Sequence, residues 1–214
     1  MAAFKPMIPL SRRLVLAAGG LAVLAPRLAR AAAALGAPAP AFTAQDETGR
    51  MRSLREFAGK ILVLEWTSSD CPYSHKHYDS GNMQGLQAKA VKDGVVWLTV
   101  SSSARGRLDY FTPQIARAWR AKVRSHATAI LLDGSGVIGR AYGARTTPHM
   151  FVIDKTGRIA YMGGIDDRPY TDPASLKGAK NYVVLALADL KAGRPVAHPV
   201  SAPYGCSVGY ASAQ

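Results

Sequence analysis

The sequence predicts a three-layer α/β/α sandwich around a mixed central sheet. Two near-continuous apolar runs carry that prediction, Ile61-Leu-Val-Leu-Glu-Trp-Thr67 and Val95-Val-Trp-Leu-Thr-Val100. Runs without polar alternation suit strands covered on both faces, as in the middle of a parallel sheet. The third observation is order. Strand patterns alternate with helical ones, and a hairpin and a helix close the series.

Each element has its own signal. Phe42-Thr-Ala-Gln45, the turn Asp46-Glu-Thr-Gly49 and Arg50-Met-Arg52 make a small hairpin. Ser53 stands where it can cap a short helix, Leu54 to Ala58, ended by Gly59. A helix begins near Pro72, and Gly81 and Gly85 kink or interrupt it before Leu86 to Lys92. Thr112 followed by Pro113 is a helix start. Ile115, Trp119 and Val123 then recur every four residues as an apolar stripe, with Arg117, Arg120, Lys122 and Arg124 on other faces. Ala129-Ile-Leu-Leu132 is a strand and Val137 to Tyr142 a short helix. Met150-Phe-Val-Ile153, the turn Asp154-Lys-Thr-Gly157 and Arg158-Ile-Ala-Tyr-Met162 form a second hairpin. The last helix, Ala179 to Lys191, ends at Gly193. There is no internal repeat and no second domain.

The flanks read differently. Ser11-Arg12-Arg13 precedes an apolar run from Leu14 to Ala25, and Ala29-Arg30-Ala31 supplies small residues for a signal peptidase. Together they make residues 1–31 a cleaved secretory signal, and the paired arginines point to twin-arginine export to the periplasm. The run is twelve residues long, against about 20 needed to span a bilayer. No stable membrane insertion is therefore expected after processing. Residues 32–40, with Gly36-Ala-Pro-Ala-Pro40, are a flexible lead-in; 41–194 are the folded domain; 195–214 are a tail carrying Cys206. The segment removed holds Lys5, Arg12, Arg13, Arg27 and Arg30 and no acid, so the formal net charge of +13 falls by five to +8. These charges are scattered and no nucleic-acid motif accompanies them, which argues against a nucleic-acid partner. Export would place both cysteines, Cys71 and Cys206, where disulfides form and persist.

Cys71 follows a buried strand and opens a helix, with Pro72 at the first helical position. Main-chain N–H groups and the positive end of the helix dipole favour a thiolate there. The bland alternative is a structural cysteine, inert or in a static disulfide. Glu65 lies inside the apolar strand, six residues earlier. Burial would raise its pKa toward that of a general base; an edge or ion-paired glutamate is the alternative.

The segments "LREFAGKILVLEWTSSDCPYSHKHY", "LLDGSGVIGRAYGARTTPHMFVIDKTGRIAYMGGIDD" and "PYGCSVGY" resemble the thioredoxin-fold superfamily, in its redoxin or peroxiredoxin-like branch. The resemblance spans about residues 36–210. It implies that Cys71 is the nucleophile and Glu65 a proton shuttle. It implies that Pro148 is the superfamily's cis-proline, laying the Thr147 backbone beside the cysteine, ready to pair with a bound polypeptide. Trp66 and Pro72 would border the same substrate groove. Ser68 matches the hydroxyl position three residues before the peroxiredoxin cysteine, but Leu64 stands where that family has proline. Arg145 and Arg117 are the candidates for its activating arginine. Ser74 replaces the second thiol of a Cys-x-x-Cys motif, so Cys71 acts as a monothiol or finds Cys206. The expectation is a reversible Cys71–Cys206 disulfide with Cys206 resolving; a permanent staple and a Cys206 that never meets Cys71 are the alternatives.

The function implied is that of an exported thiol-disulfide oxidoreductase or thiol peroxidase-like protein. Its substrate would be a peroxide, a protein disulfide or a small thiol, with an unnamed electron donor and no cofactor. Two other functions fit the sequence. One is a periplasmic copper-binding protein or metallochaperone using Cys71, His75 and His149, soft thiolate with imidazole suiting Cu(I). His77 cannot join His75 on one ion, because residues two apart on a helix point about 200° apart. The other is a redox-inactive binding module using the groove beside Pro148.

Overall fold

The protein is described by a computed structural model over residues 1–3 and 32–212. The expected export motif, Ser11 to Ala31, lies outside the described residues. In chain order the elements are β1 (Thr43–Asp46), β2 (Met51–Ser53), β3 (Leu62–Trp66), α1 (Pro72–Asp79), α2 (Asn82–Lys92), β4 (Val96–Ser101), α3 (Pro113–Lys122), β5 (Ala129–Leu132), α4 (Val137–Tyr142), β6 (Thr146–Thr147), β7 (His149–Ile153), β8 (Ile159–Gly163), α5 (Tyr182–Lys191) and β9 (Cys206–Ser207).

The main sheet runs β2-β1-β5-β4-β3-β7-β8. β4 is parallel to both β3 and β5, and the remaining neighbours are antiparallel, so the sheet is mixed as the sequence predicts. On one face, Val63, Trp97, Ile130 and Val152 pack against Tyr78, Met83, Trp119 and Leu187 from α1, α2, α3 and α5. On the other, Leu62, Leu64, Trp66 and Phe151 pack against Phe42, Phe57 and the α4 residues Ile138 and Tyr142. Alternation along β3 thus sends Trp66 to the α4 face and Glu65 to the opposite one, under α1 and α2.

Several local signals act as expected. Thr112 Oγ1 accepts the Ile115 N–H at 3.2 Å, capping α3 ahead of Pro113. Gly81, at φ 76°, separates α1 from α2 in a conformation that favours glycine. Others differ. Gly85 stays within α2, where its negative φ needs no special residue. Ser53 makes no side-chain cap, and Leu54–Phe57 is a 3-10 turn too short to need one. Ile115 is 48% exposed, so the α3 stripe narrows to Ala116 and Trp119. The last helix starts later than expected, at Tyr182, because the Asn181 side chain accepts the Val184 N–H at 2.9 Å. Among the described residues no helix is long and apolar enough to cross a membrane.

The tail crosses the folded domain. It runs beside β8, where the Met162 N–H donates to Pro199 O at 3.0 Å, and pairs as β9 with β6. It then continues to the loop after β4, where the Ala104 N–H donates to Gly209 O at 2.8 Å. It is a strap across the C-terminal ends of β3 and β4.

Candidate active site

Cys71 is the N-cap residue of α1. Its extended backbone, φ −90° and ψ 119°, turns the chain out of β3, and its carbonyl accepts the His75 N–H at 2.9 Å. The side chain is 1% exposed. Its Sγ donates to Thr147 O at 2.9 Å, and the Thr147–Pro148 peptide bond is cis. Opposite Thr147 in the β6–β9 pair stands Cys206. Both cysteines are free thiols, and Thr147 bridges them: its carbonyl accepts from Cys71 Sγ and its hydroxyl donates to Cys206 O at 3.4 Å. Gly205 makes this approach feasible. At φ 127°, a β-carbon there would overlap the Thr147 carbonyl oxygen and lie 2.7 Å from its carbon.

Burial by itself pushes the Cys71 thiol up. Hydrogen bonds from the Cys206 thiol, the Thr147 side chain and the Cys206 and Ser74 main-chain N–H groups outweigh it, and the thiol lies below its usual range. Cys206 moves the other way, to about 12. Burial, the hydrogen bond to Cys71 and the negative charges of Cys71 and Asp70 all raise it, and the Tyr73 N–H offsets them only in part. Of the two thiols Cys71 is therefore the more acidic, favoured as thiolate at the helix N-terminus, and Cys206 is the one that holds its proton more tightly.

Ser74, where a second redox thiol would stand, is buried and accepts the Thr67 hydroxyl at 3.2 Å. Ser68 donates to Asp109 Oδ2 at 2.8 Å and accepts the Asp70 N–H at 3.2 Å, so its hydroxyl braces the loop before Cys71. Glu65 is fully buried and caged by four donors: Tyr78 Oη at 2.7 Å, Trp97 Nε1 at 2.7 Å, Gln87 Nε2 at 3.1 Å and Thr99 Oγ1 at 3.3 Å. Burial raises its pKa to about 7, and the four hydrogen bonds oppose that rise. Among the described residues no hydrogen bond joins Glu65 to Cys71.

The substrate-groove expectations change in part. Pro72 is exposed beside Cys71, whereas Thr147 and Pro148 are buried beneath the tail. Trp66 is 0% exposed. It packs on Tyr142 and Phe151, and its indole N–H donates to Ser102 Oγ at 3.0 Å. It is a core residue of the α4 face and offers a substrate no surface. Leu64, in place of the family proline, is buried in the same core. Arg117 donates to Glu47 O at 2.7 Å, while the main chain of Arg145 holds the tail through Val208 N–H at 3.0 Å.

The copper trio is not assembled. His75 is on the surface, with Nε2 3.0 Å from Ser69 O. His149 is buried, packs at a tilt on Phe151 and accepts the Arg145 N–H at Nδ1. Among the described residues no group of three or more His, Cys, Asp or Glu is placed to hold a metal.

Two features escaped the sequence. A cavity of about 550 Å³ opens between α1 and α3, with Ser68, Ser74 and His75 at one end and Tyr78, Phe111 and Trp119 as apolar lining. On the other side of α1, Lys76, His77 and Asp166 are buried around the hydroxyl of Tyr204, two residues before Cys206. The only advance signal was the position of that tyrosine, since strand residues two apart share a side.

The AhpC/TSA family model matches residues 35–162. The thiol-disulfide oxidoreductase ResA of Geobacillus thermodenitrificans (strain NG80-2) is 29% identical over 137 residues, 61% of this chain and 69% of that protein. A crystal structure of an uncharacterized conserved protein from Geobacillus kaustophilus superposes with a TM-score of 0.74 at 20% identity, covering 85% of this chain and 94% of that one. The structure of the peroxidoxin BcpB from Mycobacterium tuberculosis gives a TM-score of 0.53 at 18% identity, covering 76% and 99%. These structures share the thioredoxin-like fold.

Proposed function

The chain belongs to the AhpC/TSA family, and from that premise we propose that it is an exported thiol oxidoreductase in which Cys71 attacks and Cys206 resolves. The observation that carries this reading is the placement of two free thiols around Thr147, Cys71 bonded to its carbonyl and Cys206 paired opposite it, with the Cys71 pKa lowered in part by Cys206. A Cys71 thiolate attacks a disulfide, expelling one thiol and leaving a mixed disulfide, or a peroxide, expelling an alcohol or water and leaving a sulfenic acid. Cys206 then attacks Cys71. A second thiol leaves in the first case and water in the second, and both end in a Cys71–Cys206 disulfide. An external dithiol returns the two electrons. Because β9 occupies the Thr147 edge, a polypeptide substrate pairing there would first have to lift the tail, whereas a small thiol or peroxide would not.

Oxidation with one equivalent of glutathione disulfide or hydrogen peroxide, followed by peptide mapping, tests this. The expected product is one Cys71–Cys206 disulfide that dithiothreitol reopens. A lasting mixed disulfide or a sulfinic acid at Cys71, with Cys206 still free, counts against the resolving role.

The export part of the reading is supported by Ser11-Arg12-Arg13, the apolar run and Ala29-Arg30-Ala31. N-terminal sequencing of the protein from its native host is expected to begin at Ala32. A membrane-bound form beginning at Met1 or Ala2 would mean that the segment is kept as an anchor.

A further inference from the structure

The β6–β9 pairing that brings Cys206 to Cys71 is only two residue pairs long. So short a ladder specifies its register weakly, and a slip of one residue would turn the Cys206 side chain to the other face. Main-chain hydrogen bonds flank the ladder, from the Met162 N–H to Pro199 O and from the Val208 N–H to Arg145 O, and between them Tyr204 adds a side-chain anchor. Tyr204 reaches the second turn of α1 as Cys206 reaches the first. Its ring centroid lies 5.9 Å from that of Tyr73, and Lys76 Nζ lies 4.9 Å from the Tyr204 centroid.

The Tyr204 hydroxyl donates to Asp166 Oδ1 at 2.5 Å and accepts from Lys76 Nζ at 3.2 Å. Its third partner is His77 Nε2 at 3.2 Å. Asn82 Nδ2 lies 2.8 Å from His77 Nδ1, which makes Nδ1 the acceptor and leaves the proton on Nε2, facing Tyr204. Burial, together with Lys76 nearby, lowers the His77 pKa to about 3, so the ring is neutral and this tautomer persists. One hydrogen bond given and two received fill the capacity of a hydroxyl. Lys76 also donates to Arg168 O at 2.6 Å and lies 3.7 Å from Asp166 Oδ1, both side chains being fully buried.

Such a cluster is a poor choice for stability alone. Taking charges out of water costs several kcal/mol, and well-packed apolar side chains often serve as well. What apolar packing lacks is direction: a ring on an oily surface can slide, whereas a hydroxyl with three fixed partners cannot.

We propose that Tyr204, seated by Lys76, His77 and Asp166, is a positioning residue that holds the tail in the one register placing Cys206 Sγ against Cys71 Sγ. The inference rests on the resolving role argued above. The step it serves is a thiol exchange without net change in electrons. Cys206 Sγ attacks Cys71 Sγ of a mixed disulfide, the bond to the outer sulfur breaks, and the outer thiolate leaves and takes up the proton that Cys206 released.

The test is Tyr204→Phe in the full mature chain, equilibrated with reduced and oxidised glutathione. The effective concentration of Cys206 toward Cys71 is expected to fall about tenfold or more, because three hydrogen bonds that seat the tail are lost together. The pH profile of Cys71 alkylation supplies a second reading. Tyr204→Phe should move it upward in the native chain and leave it unmoved in a Cys206→Ser background, since the effect travels through Cys206. A wild-type effective concentration in Tyr204→Phe, or the same pH shift in both backgrounds, overturns the inference and leaves Tyr204 a packing residue. If the unmutated chain forms no Cys71–Cys206 disulfide, the resolving role fails and this inference with it. Should Tyr204→Phe not fold, Asp166→Asn puts the same questions by weakening the acceptor of the Tyr204 hydroxyl.

Discussion

Gly205→Ala is expected to unseat the C-terminal strand and lower the effective concentration of Cys206 toward Cys71 by about a hundredfold. Two effects act together. The residue sits at φ 127°, a conformation that costs a side chain on the order of 1–3 kcal/mol. The added β-carbon would also overlap the Thr147 carbonyl, backbone that cannot swing aside. Relief requires β9 to move off β6, and a displacement of about 1 Å at a reacting atom already costs about a hundredfold. Cys71 should become more reactive to bulky alkylating agents at saturating pH, since the tail that buries it has lifted. Its own pKa should rise, because the hydrogen bonds from Cys206 that favour the thiolate are gone. The glutathione equilibrium and the alkylation profile measure both. A variant with wild-type values on each would show that the tail is not seated through the Gly205–Thr147 contact.

The second large effect concerns Glu65 and pH. Burial raises its folded-state pKa to about 7, against an unfolded value of about 4.3. Below the unfolded value both states hold the proton, and Glu65 carries no charge penalty. As pH climbs toward 7 the unfolded chain releases that proton and the folded chain keeps it, so stability falls. Above 7 the loss is complete, on the order of 3 kcal/mol. Glu65→Gln cannot titrate, and its stability should not fall through this window. In urea unfolding at a series of pH values, the variant should gain on the native chain between pH 4.5 and 8 and hold a constant difference beyond. The four donors around the carboxylate are the competing effect, because they favour the charged form that burial penalises. A pH-independent difference would mean that they win and that Glu65 is an ordinary buried anion. The same variant bears on proton shuttling: slower disulfide exchange at Cys71 would support it, even though no hydrogen bond links the two residues.

How much of this was legible depended on the range of the interaction involved. The runs at Leu62–Trp66 and Val96–Ser101 became β3 and β4 because a strand apolar on both faces has few other places to go. Cys71-Pro72 became a helix start, and Thr112-Pro113 a capped one, because caps are settled within three or four residues. The same apolar uniformity hid which face each β3 residue takes. With both faces buried there is no polar alternation to set parity, and Trp66, expected at the groove, lies in the core of the opposite face. The α3 stripe failed at Ile115 for a related reason. A strict four-residue spacing drifts around a helix of 3.6 residues per turn, and although Ile115, Trp119 and Val123 all border the cavity, Ile115 is left half exposed.

By itself the sequence determined the sandwich, the helix-terminal cysteine, its proline and the missing local partner at Ser74. These follow from propensity, capping and residue identity close along the chain. Only the tertiary structure decided that Cys206 meets Cys71. That contact joins residues far apart in sequence through two strand pairs, a glycine without a β-carbon and one buried tyrosine hydroxyl. No periodic pattern announces a two-residue strand, and the apolar residues of the tail, Val196, Val200, Tyr204 and Val208, are too thinly spread among prolines, glycines and serines to show where it lands. The landing place is chosen by shape at Thr147 and by the polar cluster under α1, and both exist only once the domain has folded.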